Sequence, residues 1–235
     1  MKINDIGFFL GNKKYGENSI MIYIFSKHNG LIKSFSRFTK KQRLSFTILD
    51  EVNFTWQSKQ KDSLGYINLE LEASLKKNDT FINSLIKSSA SELCIKFLPL
   101  WQQNIEIYND LEKLINNLDK NIDLIIFNYV WWEILFLKNT GYGINLDKCS
   151  VSGSKEKLYY LSPNSGNSVT YSVGHKYRNK LFKLPYCLKE KTISNNFVDY
   201  VNALKITTYF LRKNFDYDLN KFIFRTHLIN KLKNL

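Results

Sequence analysis

Five short runs of β-branched and aromatic residues within the first 78 positions constrain this chain more than any other feature. They are Ile6 to Leu10, Ser19 to Phe25, Leu31 to Phe38, Phe46 to Trp56 and Leu64 to Leu71. Clusters of turn-forming residues divide them: Gly11 to Gly16, His28-Asn29-Gly30, Thr39 to Arg43 and Ser58 to Ser63. Such runs read as strands, and five of them in so short a stretch suit a small closed or nearly closed barrel. Asn29-Gly30 signals a hairpin, because a type I′ turn needs two positive φ angles.

From Asp79 the periodicity becomes helical. Asp79 is a suitable N-cap, Phe81, Leu85, Ala90, Leu93 and Phe97 recur at helical spacing, and Pro99 stops the run. The spacing predicts a second helix over 105–118 and a third over 122–138. The third is apolar nearly all round, which makes it the expected buried centre of the helical part, and Gly141 and Gly143 end it. Residues 144–190 are irregular, with strand-like pieces such as Lys157 to Leu161, and two more helices are predicted after Ser194 and after Asp218. The expected class is α+β: a barrel over 1–78, a helical domain made of 79–143 and 192–235, and a small β-rich insertion over 144–191.

The chain carries 34 Lys and Arg against 21 Asp and Glu, a net +13, which favours a polyanion such as nucleic acid or an anionic membrane surface. Only five of those cations are Arg and 29 are Lys, as A+T-rich coding would produce, so their distribution says more than their sum. Residues 1–80 carry +5, 81–154 carry −2, 155–191 carry +6, 192–200 carry −1 and 201–235 carry +5. The central helices therefore contribute none of the excess. Asp5 sits where a signal peptide needs an apolar run, and Asp123, Asn128 and Glu133 interrupt the most apolar stretch. Neither a leader nor a spanning helix is predicted, and a cytoplasmic protein with no membrane partner is expected. Cys94, Cys149 and Cys187 form no CxxC pair, so neither a disulfide framework nor a zinc site is signalled.

From Lys27 to Arg43 there are six cations and no acid. Strand alternation puts Lys33, Phe35 and Arg37 on one face, and Lys40, Lys41 and Arg43 continue the positive track through the following loop. Cations follow phosphates, and a ring stacks on a base for about 1–3 kcal/mol, so this pattern suits single-stranded nucleic acid. The competing reading is a solvated barrel face with Phe35 packed against a neighbouring domain. Catalysis finds little support, because His28, His175 and His227 are far apart and no HExxH or Gly-rich phosphate loop is present. Asp50-Glu51 reads as a surface pair. Cys149-Ser150-Val151-Ser152-Gly153 has the outline of a zinc knuckle whose second sulfur is replaced by a hydroxyl, a poor zinc ligand. No metal, cofactor or catalytic residue is expected.

Five local motifs, in order and spacing, resemble one family. Tyr15-Gly16-Glu17-Asn18-Ser19 is similar to its YGE-x-S, His28-Asn29-Gly30 to its H-x-G turn, and Arg37 sits where it carries a basic residue after strand three. Gly141 to Cys149 resembles its G-(Y/F)-G-L-x-L-x-x-C, and Tyr160-Leu161-Ser162-Pro163 with Gly166 its (Y/F)-x-S-P-x-x-G. The family is the bacterial recombination mediator RecO, and the resemblance covers nearly the whole chain. It departs in two places. Phe38-Thr39-Lys40-Lys41 replaces the usual arginines and glycines, and only Cys149 remains of the two CxxC pairs that some members carry.

The resemblance implies an N-terminal OB-fold barrel, then an α-helical domain with a degenerate zinc-ribbon-like insertion. It implies a non-enzymatic DNA repair protein that binds single- and double-stranded DNA and anneals complementary strands. With RecR, such a protein assists RecA onto strands covered by single-stranded DNA-binding protein, whose acidic, apolar-ended C-terminal tail it engages through the helical part. It also implies association with the nucleoid when bound to DNA. Lys176, Arg178, Lys180, Arg212 and Lys213 would extend the basic track or receive that tail. An OB-fold RNA-binding protein of RNA processing or translation is the alternative, and a phosphoryl-transfer or nuclease enzyme a third.

Overall fold

In the computed structural model, which describes residues 1–15, 19–36, 46–60, 63–73, 80–215, 218 and 221–235, the first strand is long enough to serve two neighbours. Strand β1 (Lys2–Tyr15) pairs through its first half with the later strand Glu51–Gln57 and through its second half with β2 (Ser19–Ser26). A register shift between Phe9 and Gly11 bends it from one partner to the other. Beyond β2 come β3 (Gly30–Ser36), β4 (Glu51–Gln57) and β5 (Tyr66–Ala73). β5 pairs antiparallel with β4 and parallel with β3, closing a barrel of order β1-β2-β3-β5-β4, the OB-fold arrangement. Ile20, Ile22 and Ile24, then Val52, Phe54 and Trp56, then Ile67 and Leu69 fill its interior at the period of two expected of strands.

On the outer face of β1 and β2 the alternation fails, since Phe8, Leu10 and Phe25 are buried as well. Helices α1 (Phe81–Phe97) and α2 (Ile105–Asn116) are the cause. Tyr108 of α2 stacks on Phe8 at 4.8 Å and meets Phe25 at 5.6 Å, while Ser91 Oγ of α1 donates to the Leu10 carbonyl at 2.5 Å. Residues Met1–Ile115 accordingly form one compact unit and Asn116–Leu235 a second.

The turn between β2 and β3 is not type I′. It spans Lys27 to Asn29, and of the Asn29-Gly30 pair only Gly30 has positive φ, +71°. Asp5 explains the difference: its carboxylate accepts from Ser26 Oγ, from the His28 N–H at 3.1 Å and from Asn29 Nδ2 at 2.8 Å, tying the loop to β1. Leu100 and Trp101 run beside β3 on the edge that β5 leaves open, with the Trp101 N–H donating to the Leu31 carbonyl at 2.9 Å. A Cβ on Gly30 would fall 1.9 Å from the Gln102 carbonyl oxygen, so that approach requires glycine.

The second unit is built on α3 (Ile122–Leu137), where Ile126, Tyr129, Val130 and Leu137 are fully buried. A three-stranded sheet follows, from β6 (Leu158–Leu161), β7 (Ser168–Thr170) and β8 (Phe182–Lys183) in the order β7-β6-β8. The short α4 (Tyr171–Gly174) and α5 (Tyr186–Lys189) flank it, and α6 (Phe197–Asn214) packs along α3 with α7 (Ile223–Leu232) against it. Helix α1 is capped by Thr80, whose side chain accepts from the Asn83 N–H at 3.2 Å; Asp79, the predicted cap, lies outside the described residues. The last helix starts later than its predicted cap at Asp218 and has no side-chain cap; the burial of Phe222 and Arg225 anchors it instead. Among the described residues, no helix is long and apolar enough to cross a membrane.

Candidate nucleic-acid interface

Because β3 alternates, Ile32, Ser34 and Ser36 turn into the barrel, and Lys33 and Phe35 turn out. Each is half-buried, and the register shows what lies beside it. Lys33 is opposite Tyr23 of β2, and Phe35 is opposite Met21 on one side and Tyr66 of β5 on the other. Continuing across the strands, Met21 faces Lys13, Tyr66 faces Gln57, and Gln57 faces Lys2. One transverse row of the outer surface thus carries Lys13, Phe35, Tyr66 and Lys2. Lys33 forms no ion pair among the described residues.

Tyr15 and Tyr66 frame Phe35. Their ring centroids lie 4.9 Å and 6.2 Å from that of Phe35. A groove of about 1020 Å³ opens alongside, lined by Phe35, Tyr66, Gln57, Lys2, Lys59 and Leu64 among others. Its wall is held by Trp56 Nε1 donating to the Leu64 carbonyl at 3.0 Å, and by the Phe35 N–H donating to the Gly65 carbonyl at 3.2 Å. Gly65 has φ +59° and lies so close to Trp56 that a Cβ would fall 2.6 Å from the indole nitrogen. This approach seats Tyr66 beside Phe35.

Of the barrel residues predicted to bind, Lys33 and Phe35 share this face; Arg37, Lys40, Lys41 and Arg43 lie outside the described residues. Sequence reasoning did not single out Lys2, Lys13, Tyr15 and Tyr66, which the structure places on the candidate face. Lys13-Lys14-Tyr15 carries a cation and a ring at strand spacing, but the surrounding glycines and polar residues make the segment look like a turn. Tyr66 could be linked to Phe35 only by a pairing that closes the barrel.

In the second unit, Lys176, Arg178 and Lys180 all lie exposed on one short 3₁₀ turn, His175–Lys180. Arg212 and Lys213 end α6; Lys213 Nζ donates to the carbonyls of Pro163 at 2.9 Å and Asn164 at 2.5 Å, so its charge also clamps the loop between β6 and β7. A separate pocket of about 580 Å³ lies between the sheet and α6, with Tyr159, Phe182 and Tyr186 as walls and Lys183, Lys189 and Lys205 at its edge. Lys183 and Lys189 place their ammonium groups 5.5 Å and 5.8 Å from the Tyr159 ring centre. Nothing in the local sequence distinguishes these three lysines from the others.

The knuckle at Cys149 keeps its shape. The Gly153 N–H donates to the Cys149 carbonyl at 3.0 Å and the Ser152 N–H to Cys149 Sγ at 3.4 Å, with Thr170 Oγ1 3.9 Å from the sulfur. Burial raises the thiol's pKa, but hydrogen bonds from Ser152, Thr170 and Val151 outweigh it and bring it down to about 6. One sulfur among hydroxyls does not fit zinc, and no cluster of three or more His, Cys, Asp or Glu among the described residues could hold a metal ion.

Two family models match the chain: Recombination protein O N terminal over residues 1–74, and Recombination protein O C terminal over residues 79–221. A protein named DNA repair protein RecO from Wolbachia pipientis subsp. Culex pipiens is 30% identical over 229 residues, covering 94% of each chain. Proteins of the same name are 31% identical over 230 residues in Ehrlichia chaffeensis, covering 92% of this chain and 91% of that one, and in Rickettsia bellii, covering 97% and 91%. With both of its parts matched in order, the chain belongs to the Recombination protein O family of DNA repair proteins.

Proposed function

We propose that this protein is a non-enzymatic, DNA-binding mediator of recombinational repair whose barrel face holds single- and double-stranded DNA. The observation that carries the reading is the outer row of the barrel, where Lys13, Lys2 and the neighbouring Lys33 surround Phe35 and Tyr66. Phosphates of any sequence satisfy lysines, and annealing needs two polyanions brought together without base-specific readout. Arg37, Lys40, Lys41 and Arg43, which follow β3 in the chain, are the further cations available to DNA on this reading. Family membership supports the further steps: annealing of complementary strands, action with RecR, and assistance to RecA at strands covered by single-stranded DNA-binding protein. For that protein's acidic, apolar-ended tail, the pocket edged by Lys183, Lys189 and Lys205 offers matching charge and aromatic walls, and Lys176, Arg178, Lys180, Arg212 and Lys213 are the other cations available to it.

The test is annealing of complementary oligonucleotides, with affinity measured across salt, for wild type and Lys33→Glu. The variant should anneal several-fold more slowly and bind with a shallower salt slope, by about 0.7 for each single-strand phosphate that the side chain no longer neutralises. Unchanged rate and slope would remove Lys33 from the interface. Competition with RNA of the same sequence separates this reading from an RNA-binding one, which tighter RNA binding would favour.

A further inference from the structure

Aromatic rings on a sheet surface normally lose most of their exposure to neighbours, yet two of the three on this face keep more than half of theirs. Tyr15 is 57% exposed and Tyr66 54% exposed, on either side of a half-buried Phe35. They come from strands far apart in the chain and each meets Phe35, Tyr15 across the β1–β2–β3 pairing and Tyr66 because β3 and β5 pair in parallel at Phe35 and Tyr66. Two features hold the geometry: the positive φ and close approach that Gly65 allows, and the Phe35 N–H bond to its carbonyl. The surroundings are cationic. Lys13 lies two residues before Tyr15 on the same face, Lys33 two residues before Phe35, and Lys2 and Lys59 edge the adjoining groove. The acids of β5, Glu70 and Glu72, lie further along that strand, beyond Asn68.

From this arrangement we infer that Tyr15, Phe35 and Tyr66 form a stacking platform for successive unpaired bases, which makes the barrel face selective for single-stranded over duplex DNA. The inference rests on the DNA-binding reading of this face and adds what the lysines cannot supply. Lysines meet the same phosphates on either form of DNA. A ring, in contrast, gains only from a base whose face is free, and in a duplex both faces of each base are already stacked on neighbours. The exposed rings therefore contribute to one substrate and not the other. An acidic peptide would use the same lysines but leave the flat faces of three rings without flat partners.

The experiment compares Tyr15→Leu, Tyr66→Leu and Lys33→Glu with wild type, using a fluorescein-labelled oligo(dT) and a blunt duplex of equal length at several salt concentrations. Leucine keeps apolar packing while removing the ring. Each leucine variant should weaken oligo(dT) binding by about 5-fold to 150-fold, the range expected for one stacked base, with duplex affinity and both salt slopes unchanged. Lys33→Glu should weaken both forms and flatten both slopes. If Lys33→Glu acts in that way but the leucine variants spare oligo(dT), or weaken both forms equally, the platform is wrong while the DNA-binding face stands. If wild type binds neither form, or Lys33→Glu changes nothing, the reading beneath it fails. Tyr66→Trp guards against a folding effect: oligo(dT) should quench its fluorescence more than that of wild type, and equal quenching would overturn the platform.

Discussion

At the residue scale, the most consequential contact is one that local sequence reading does not reveal. Arg225 and Glu133 are almost completely buried, and the guanidinium grips the carboxylate with Nε to Oε1 and Nη2 to Oε2, each at 2.8 Å. Nη1 also donates to Thr208 Oγ1 at 2.8 Å, and Nη2 to Thr207 Oγ1 at 3.0 Å. Charges taken this far from water persist only when so fully paired, and removing one strands the other. Arg225→Met should therefore destabilise the second unit by about 3–5 kcal/mol, while Arg225→Met with Glu133→Leu should recover much of that loss, as urea unfolding would measure. In the sequence, Glu133 is visible only as an interruption of an apolar run. Asp5 gives the first unit a pH dependence. Burial raises its pKa, but hydrogen bonds from Ser26, His28, the Ile6 N–H and Asn29 outweigh burial and hold it below 3.8. A carboxylate with a lowered native pKa stabilises the fold above its unfolded value and loses that contribution as pH falls through the native one. Asp5→Asn should thus be less stable than wild type at pH 7, and the gap in urea midpoint should narrow steadily once the pH drops below 3.8.

At the scale of elements, periodicity located most strands and helices closely, and the departures have physical causes. Strand β1 extends well beyond Ile6 to Leu10 because each of its polar ends has a partner strand, the first β4 and the second β2, which alternation of apolar residues does not register. β4 begins at Glu51 and not Phe46. Leu49 takes φ +67°, and Asp50, read as half of a surface pair, is buried and accepts from the Thr47 N–H at 2.7 Å and Thr47 Oγ1 at 2.8 Å, so residues 47–50 turn. The β2–β3 turn follows the same logic, since Asp5 reshapes what Asn29-Gly30 would form alone. Gly30→Ala combines positive φ with a collision against the Gln102 carbonyl, and should cost more than about 1 kcal/mol, read as a fall in melting temperature. The candidate interface was legible to the extent that it lies within one strand: alternation put Lys33 and Phe35 together, and nothing local pointed to Tyr66.

At the scale of the whole molecule, packing divides the chain at Ile115, whereas composition changes near Asp79. Helices α1 and α2 cover Phe8, Leu10 and Phe25, so a fragment of residues 1–115 should melt cooperatively. A fragment of residues 1–78 would expose those three side chains to water; it should melt at lower temperature and bind a hydrophobic dye, and comparison of the two by calorimetry and dye fluorescence checks this. The charge pattern belongs to this scale as well, since the excess lies on the barrel, the insertion and the last helices and bypasses the centre. The sequence by itself determined the α+β order, the barrel of five strands, the buried third helix, and a cationic β3 with one outward ring. All of these follow from local periodicity, turn chemistry and composition. Only the tertiary structure decided that Tyr15 and Tyr66 flank that ring, that Arg225 meets Glu133, and that the first two helices belong with the barrel. A repeating pattern specifies which face of an element is apolar, whereas the identity of its neighbour depends on closure and packing between segments far apart in the chain.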